Sequence, residues 1–202
     1  MKKIILATNN KDKIKEIKNI LKNIKYNIFT LSDILLNKSI KETGETISDN
    51  ARIKARAIRK YVKDAIILSD DTGLEVDFLA KAPGVYSSRF AGAGCTYEDN
   101  YKKLLWLLRE VPWKQRKATF KTSVYIIFPD GNEKLVTGKV SGYITFMPKG
   151  TNGFGYDPVF YIPQKGKTYA ELSLKEKNAI SHRKKAFENA YKQIKKWIKN
   201  KT

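Results

Sequence analysis

Two adjacent carboxylates, Asp70 and Asp71, follow the apolar run 65–68 and precede Gly73. Two acids buried side by side without a partner are costly. A hard divalent cation such as Mg²⁺ relieves the repulsion, because it binds one or two carboxylates together with substrate phosphates. Asp also suits a helix N-cap. A metal-binding and a capping interpretation of the pair therefore both remain open.

Two further acids, Glu42 and Glu45, flank Gly44 in front of a predicted helix. Considered alone, they are typical of residues that cap a helix and complement its dipole. If Glu42 faces the same cleft as Asp71, however, these two carboxylates could hold one metal ion between them.

A candidate phosphate site comes earlier in the chain. Thr8, Asn10 and Lys13 lie on a turn between a predicted strand and a predicted helix, where backbone N–H groups and the helix dipole favour anions. The turn lacks the glycine-rich run and the Lys-Thr of a Walker motif. By itself the hexapeptide 8–13 is more typical of a surface turn.

A glycine-flanked aromatic residue occurs in the stretch Gly153–Asp157. The glycines let the backbone approach a ligand, Phe154 could stack on a planar base, and Asp157 could accept a base N–H. An ordinary turn with a core phenylalanine explains the stretch equally well. Further along, Ser181 is predicted to begin the last helix, with the cationic His182 and Arg183 in its first turn, where a ligand anion would favour them.

The predicted strands and helices that would position these residues alternate along the chain. Residues 3–7 and 65–68 are apolar runs typical of strands buried on both faces. Helices are predicted from about residue 14 to 24 and up to about Val62, and a strand over 26–30. This alternation predicts an α/β sheet in which both the Thr8–Lys13 turn and the Asp70-Asp71 pair lie at carboxyl ends of strands.

The second half of the chain changes character. A helix through Tyr101 and Leu108 is followed by two strand-like stretches, 118–128 and 134–145, joined by a turn that contains Asp130-Gly131, a strong hairpin signal. Ser173 and Glu176 resemble a capping box. We interpret this half as an antiparallel lobe beside the first, with a cleft between the two.

Composition and charge further restrict the range of possible functions. The chain has 202 residues, 40 Lys and Arg against 20 Asp and Glu, and a formal charge of +20. This charge attracts polyanions, but the lysines are spread along the chain and a proteome-wide bias explains them. No apolar run is long enough for a membrane span, and the single cysteine, Cys95, suits a reducing compartment. We expect a soluble cytoplasmic protein without a specific nucleic-acid partner.

The motifs, in order, closely resemble those of the inosine triphosphate pyrophosphatase family, which includes the bacterial dITP/XTP pyrophosphatases. Each is weak to moderate alone, but six in the right order are specific. The matching stretches are Ala7–Lys13, Glu42–Gly44 with Asn50–Ala51, Ser69–Asp77, Ala82–Arg89, Phe154–Pro158 and Ser181–Arg183.

The resemblance implies a Mg²⁺-dependent hydrolase that splits ITP, dITP or XTP into the monophosphate and pyrophosphate. It implies that Asp71 is the catalytic acid and that Glu42 and Asp71 contact the metal. The implied substrate-binding positions are Thr8, Asn9, Asn10, Lys11, Asp12, Lys13, Thr72, Phe154, Gly155, Tyr156, Asp157, Lys177, His182 and Arg183.

The fold implied by the resemblance is an elongated α/β protein over residues 1–202. It has two lobes, a mixed sheet with flanking helices and a central substrate cleft, and it is commonly a homodimer. The sequence departs from the family pattern at three places: Thr72 replaces a serine, Asp49 replaces a glutamate, and Ala80-Lys81 replace a glycine pair. These changes affect expected loop shape rather than the chemical residues.

Two alternatives remain. A Maf-like nucleotide pyrophosphatase would share a similar lobe arrangement but act on pyrimidine or modified nucleotides. A basic nucleic-acid-binding module would use the +20 charge, although the sequence contains no recognised nucleic-acid-binding motif.

Overall fold

The computed structural model describes residues 3–22, 24–36 and 40–200. The strands are β1 (Lys3–Leu6), β2 (Asn27–Thr30), β3 (Ile66–Val76), β4 (Pro83–Gly84), β5 (Lys117–Ile127), β6 (Glu133–Ile144), β7 (Phe160–Ile162) and β8 (Lys167–Thr168). The α-helices are α1 (Lys11–Ile20), α2 (Ile47–Arg59), α3 (Tyr97–Leu107), α4 (Leu174–Ile180) and α5 (His182–Lys199).

The strands form one mixed sheet in the order β2-β1-β3-β5-β6-β7-β8, with β4 paired to β3. Strand β1 is parallel to β2 and to β3, with Ile5 opposite Phe29 and Ile67. Strands β7 and β8 pair antiparallel with their neighbours. The predicted α/β class with a mixed sheet and flanking helices is therefore confirmed.

The chain divides into two compact units. The first comprises the described residues of Met1–Asp71, Thr122–Gly138 and Arg183–Thr202, and the second comprises Thr72–Lys121 and Lys139–His182.

In the first unit, alternation along the strands places apolar side chains on both faces of the sheet. On one face Ile4, Ile66 and Leu68 pack with Ile17 of α1 and Phe187 of α5. On the other face lie Ile5, Ile67 and a stripe of α2 formed by Ala51, Ala55 and Ile58. The continuous apolar runs of β1 and β3 are thus explained by two covering helix layers.

The second unit has its own core. Leu74 and Val76 of β3 pack there with Leu104 of α3, with Leu108 directly after that helix, and with residues of β5 to β7. The predicted capping box is confirmed, since Ser173 and Glu176 exchange hydrogen bonds at the start of α4.

Several boundaries differ from the sequence-based predictions. Strand β3 continues to Val76, so Asp70 and Asp71 lie inside a strand rather than at its carboxyl end. The strand continues because Leu74 and Val76 are buried in the second core. Helix α2 ends at Arg59 instead of reaching Val62. Within the described ranges, no helix combines the length and apolarity that crossing a membrane would require.

A buried arginine ties several segments of the second unit together. Arg116 is only 1% exposed and donates to the carbonyl oxygens of Ile144 at 2.7 Å, Thr145 at 2.7 Å, Leu108 at 2.5 Å and Val111 at 3.3 Å. The guanidinium therefore joins the end of α3 to the end of β6 through backbone acceptors.

Replacing Arg116 by Met leaves those buried carbonyls without their donor, and such unsatisfied groups are expensive. We expect Arg116→Met to lower the free energy of unfolding by about 3 kcal/mol or more, measured by urea denaturation. The matched control is Arg109→Met, because Arg109 is exposed and donates to the single carbonyl of Trp106. Equal stability of the two variants would contradict the role assigned to Arg116.

Candidate active site

The two aspartates of β3 face different helix layers of the first unit. Successive side chains of a strand point to opposite faces, so Asp70 has the parity of Leu68 and faces α1 and α5, while Asp71 has the parity of Ile67 and faces α2. Both are buried, at 1% and 7% exposed. Neither caps a helix, since both lie within β3, so the capping interpretation of this pair is wrong.

Asp71 meets a buried lysine from the helix layer that it faces. The Nζ of Lys54 on α2 lies 3.2 Å from Asp71 Oδ1 and 2.9 Å from Glu42 Oε1. Asn50, one turn earlier on α2, accepts a hydrogen bond from Gly44 N at 2.8 Å and donates to Asp71 at 3.4 Å. The carboxylates of Glu42 and Asp71 therefore converge, as a shared metal site would require, and they do so around the Lys54 ammonium.

Burial and neighbouring charges make the ionisation of this group unusual. Burial, with help from Glu42 and Asp70, raises the pKa of Asp71 above its ordinary value even though Lys54 and Lys13 oppose the shift. Burial alone would lower the pKa of Lys54, but the carboxylates of Asp71 and Glu42 raise it. A carboxylate with a raised pKa accepts a proton more readily than a surface aspartate does.

Asp70 is neutralised from the opposite face. Its Oδ2 lies 3.2 Å from Nζ of Lys13 on α1 and 3.7 Å from Nε of Arg183 on α5. Arg183 also donates to Glu16 of α1 in a buried ion pair. Two helices thus each bring a cation to one carboxylate, and Glu16 compensates the guanidinium.

These contacts shift the ionisation of Asp70 in the direction opposite to that of its neighbour. Burial acts to raise the pKa of Asp70, but Lys13, Arg183 and Lys54 outweigh it and hold the pKa below its ordinary value. Burial lowers the pKa of Lys13 despite the attraction of Asp70. Asp70 is therefore held ionised, as a fixed counter-charge.

Seven side chains of the first unit are linked by ion pairs around the two aspartates, and we call them the charge cluster. Its members are Lys13, Glu16, Glu42, Lys54, Asp70, Asp71 and Arg183.

The predicted phosphate-binding turn lies at the start of α1. Asn10 is the N-cap of the helix, and its side chain accepts from Lys13 N at 3.0 Å, while Asn10 N donates to Thr8 Oγ1 at 3.2 Å. The turn is thus shaped by its own side chains. Asn9, Lys11 and Asp12 are exposed, whereas Lys13 reaches inward to Asp70.

The second unit groups the residues predicted to recognise the base. Asp157 is buried, and its Oδ2 accepts from Phe154 N at 2.9 Å and from Lys177 Nζ at 2.5 Å. Gly153 has a φ of +78°, and a Cβ there would approach Asp157 Oδ2 to 2.0 Å. The turn therefore requires glycine, and it presents the half-buried Phe154 ring above the Lys177 ammonium, 4.9 Å away.

Other predicted substrate-binding residues are parts of the core or close to it. Tyr156 is 4% exposed and donates to Ser87 O at 2.9 Å. His182 is 2% exposed and stacks on Phe120, with ring centroids 4.5 Å apart. Gly155 and Thr72 are half-buried. Contact of these four residues with substrate stays a prediction, as does a cleft between two lobes.

Sequence reasoning missed Lys54 and Glu16. The signal for Lys54 was its position: it lies three residues after Ala51 and four before Ile58, within the apolar stripe of α2. Glu16 likewise adjoins the buried Ile17 on α1. A charged residue on the core side of an amphipathic helix requires a buried partner, but only the fold identifies that partner.

Comparison with known proteins places these observations in a family. A model of the Ham1 family matches residues 4–193. The dITP/XTP pyrophosphatase of Thermoanaerobacter sp. (strain X514) is 52% identical over 181 residues, which cover 90% of each chain. The solved structure of the Staphylococcus aureus Ham1 protein is similar with a TM-score of 0.84 at 36% identity, and it covers all of both chains. A HAM1 protein from Coxiella burnetii gives a TM-score of 0.85 at 36% identity over 97% of this chain and 100% of its own.

The charge cluster predicts that removal of a buried acid lowers the free energy of unfolding far more than removal of an exposed one. Glu16→Gln removes a buried carboxylate beside the Arg183 guanidinium and leaves the more distant one of Asp70, at 3.7 Å, so we expect the free energy of unfolding to fall by about 3 kcal/mol, measured by urea denaturation. The control is Glu98→Gln, because Glu98 pairs with Lys102 at 2.8 Å between exposed side chains. The control should match the parent protein, and an equally small effect of Glu16→Gln would contradict the buried pairing.

Proposed function

We propose that this chain, which belongs to the Ham1 family, hydrolyses the non-standard purine nucleoside triphosphates ITP, dITP and XTP to the monophosphate and pyrophosphate. The names of its close relatives support this activity. The structural observation that carries it is the buried Lys54 ammonium held between Glu42 and Asp71, with Lys13 on the adjacent aspartate.

The donor set fits a divalent cation. Oxygens of Glu42 and Asp71 both lie within 3.2 Å of one nitrogen, Lys54 Nζ, so two carboxylates already converge on a cationic centre. The part of the chain that the structure describes contains no cluster of three or more Asp, Glu, His or Cys side chains suited to a metal. Mg²⁺ needs only one or two carboxylates, because phosphates and water supply its other ligands.

Glu42 and Asp71 would therefore hold Mg²⁺. When bound, this ion would neutralise phosphate charge and polarise the phosphoryl oxygens.

The reaction adds a water oxygen to the α-phosphorus and breaks the bond from that phosphorus to the oxygen that bridges to the β-phosphate. Asp71 orients the water and accepts its proton, the role of a general base. Lys13 and Lys54 place positive charge beside the triphosphate and stabilise the negative charge that develops. Asp70 keeps Lys13 in position.

Base selection is assigned to the turn of the second unit. The Phe154 ring stacks on the purine, and the buried Lys177 is the cation beside that ring. Hypoxanthine and xanthine carry a 6-oxo acceptor where adenine carries an amino group. A donor that faces this position would lose its hydrogen bond with ATP, which costs about 1–3 kcal/mol for a buried group.

Three finer assignments belong to the same proposal. The substrates are small-molecule nucleotides, the enzyme acts in the cytoplasm, where the single Cys95 stays reduced, and it forms a homodimer as the sequence resemblance implies.

Asp71→Asn tests the catalytic assignment. The amide keeps the size of the side chain but cannot accept the proton of water, so kcat for pyrophosphate release from ITP should fall at least about 10²-fold, the lower end for general-base catalysis. The control is Asp77→Asn, because Asp77 is an exposed acid that pairs with Lys81. Turnover of Asp71→Asn near that of the parent enzyme would refute the role.

A substrate panel tests the activity itself. We expect pyrophosphate release from ITP, dITP and XTP in the presence of Mg²⁺, with kcat/KM about 10- to 100-fold above that for ATP, and loss of activity with EDTA. GTP and dUTP complete the panel. Preference for dUTP would indicate a Maf-like enzyme, and steep salt-dependent DNA binding without hydrolysis would indicate a nucleic-acid-binding module.

A further inference from the structure

Tyr97 is an exposed aromatic residue at the first position of α3. Its side chain has the helical spacing of the stripe formed by the partly buried Tyr101 and the buried Leu104 and Leu108, yet Tyr97 is 42% exposed and lies outside the core cluster of its unit. Packing into the core therefore does not explain a large aromatic ring at this position.

The backbone at Tyr97 is firmly held. Thr96 caps α3, and a capping box joins it to Asp99: Asp99 N donates to Thr96 Oγ1 at 3.1 Å, and Thr96 N donates to Asp99 Oδ2 at 2.8 Å. A residue directly after such a cap has little freedom to move. The Tyr97 ring is thus projected from a rigid point.

That ring contacts Phe154. The two centroids are 5.7 Å apart and the ring planes are tilted by 43°, within the range of favourable aromatic pairs. The Lys177 ammonium lies 4.9 Å from the centroid of the same Phe154 ring. Asp157 holds the backbone of Phe154, which leaves the ring as the part of this residue that can still turn. Tyr97 and Lys177 both contact that ring.

We propose that Tyr97 is a positioning residue for base recognition, which holds the Phe154 ring in the orientation that stacks on a purine. The inference rests on the proposed function, because it requires Phe154 to contact the base. The contact that carries this role is the one between the two rings, so Tyr97→Phe should retain it and Tyr97→Ala should lose it.

The experiment measures kcat and KM for pyrophosphate release from ITP by the full chain with Mg²⁺. Tyr97→Ala should raise KM about three- to tenfold, the size of one aromatic pair, and leave kcat unchanged, because the carboxylates and lysines of the first unit are untouched. Tyr97→Phe should restore the parent KM. Trp106→Ala is the matched control, since Trp106 is an exposed aromatic on the same helix whose ring packs on Arg109.

Two further readouts separate positioning from general structural damage. Inorganic triphosphate, a competitive probe without a base, should keep its inhibition constant in Tyr97→Ala. In a Phe154→Ala background, Tyr97→Ala should have no additional effect on KM, because the ring that it positions is gone. Thermal unfolding is followed in parallel, and Tyr97→Leu replaces the alanine variant if that variant does not fold.

An unchanged KM in Tyr97→Ala, an equal loss in Tyr97→Phe, weaker triphosphate inhibition, or additive effects with Phe154→Ala would each overturn the inference. These outcomes leave the proposed function intact as long as the parent enzyme cleaves ITP. If the parent enzyme releases pyrophosphate from no nucleotide, the proposed function fails, and the inference fails with it.

Discussion

The neutralisation of two adjacent carboxylates inside one strand is the constraint on which the rest of the first unit depends. Each buried ion costs several kcal/mol unless it is paired. Strand geometry places the side chains of Asp70 and Asp71 on opposite faces of the sheet. One face therefore needs cations from α1 and α5, and the other needs one from α2. Lys13, Arg183 and Lys54 supply them, so the layers that cover the apolar residues of β3 also carry the charges that its acids require.

This arrangement gives two chemically identical side chains different properties. Asp70 is sealed between two cations and stays ionised, whereas Asp71 shares a single lysine with Glu42 and has a raised pKa. Neighbouring carboxylates with divergent pKa values are a recurrent basis for dividing catalytic roles. Asp70 thus fixes Lys13, and Asp71 is the carboxylate to which the proposed function assigns the proton transfer.

Local sequence patterns were sufficient for the α/β class, for most helices and strands, and for the family, which six ordered motifs indicated and the family match confirmed. They failed where tertiary contacts decide. Asp70 and Asp71 looked like a strand end because polar residues interrupt an apolar run. Cations distant in the sequence neutralise both acids, and the burial of Leu74 and Val76 in the second core lets β3 continue to Val76. Lys54 was overlooked because a lysine on a helix is ordinarily a surface residue, and its carboxylate partners are 12 and 17 positions away in the sequence.

The formal charge of the cluster bears on how a triphosphate could be held. Lys13, Lys54 and Arg183 are three cations against the four carboxylates of Glu16, Glu42, Asp70 and Asp71, so this cluster is not positive, although the chain as a whole carries +20. Without a bound metal ion, a polyanionic substrate that approached Asp71 would meet lysines whose charge is already balanced by the neighbouring carboxylates. A divalent cation would supply the missing positive charge, whereas the exposed lysines elsewhere act only at longer range, where salt screens them. The proposed need for Mg²⁺ therefore follows from the balance of charges within the cluster as well as from the identity of its ligands.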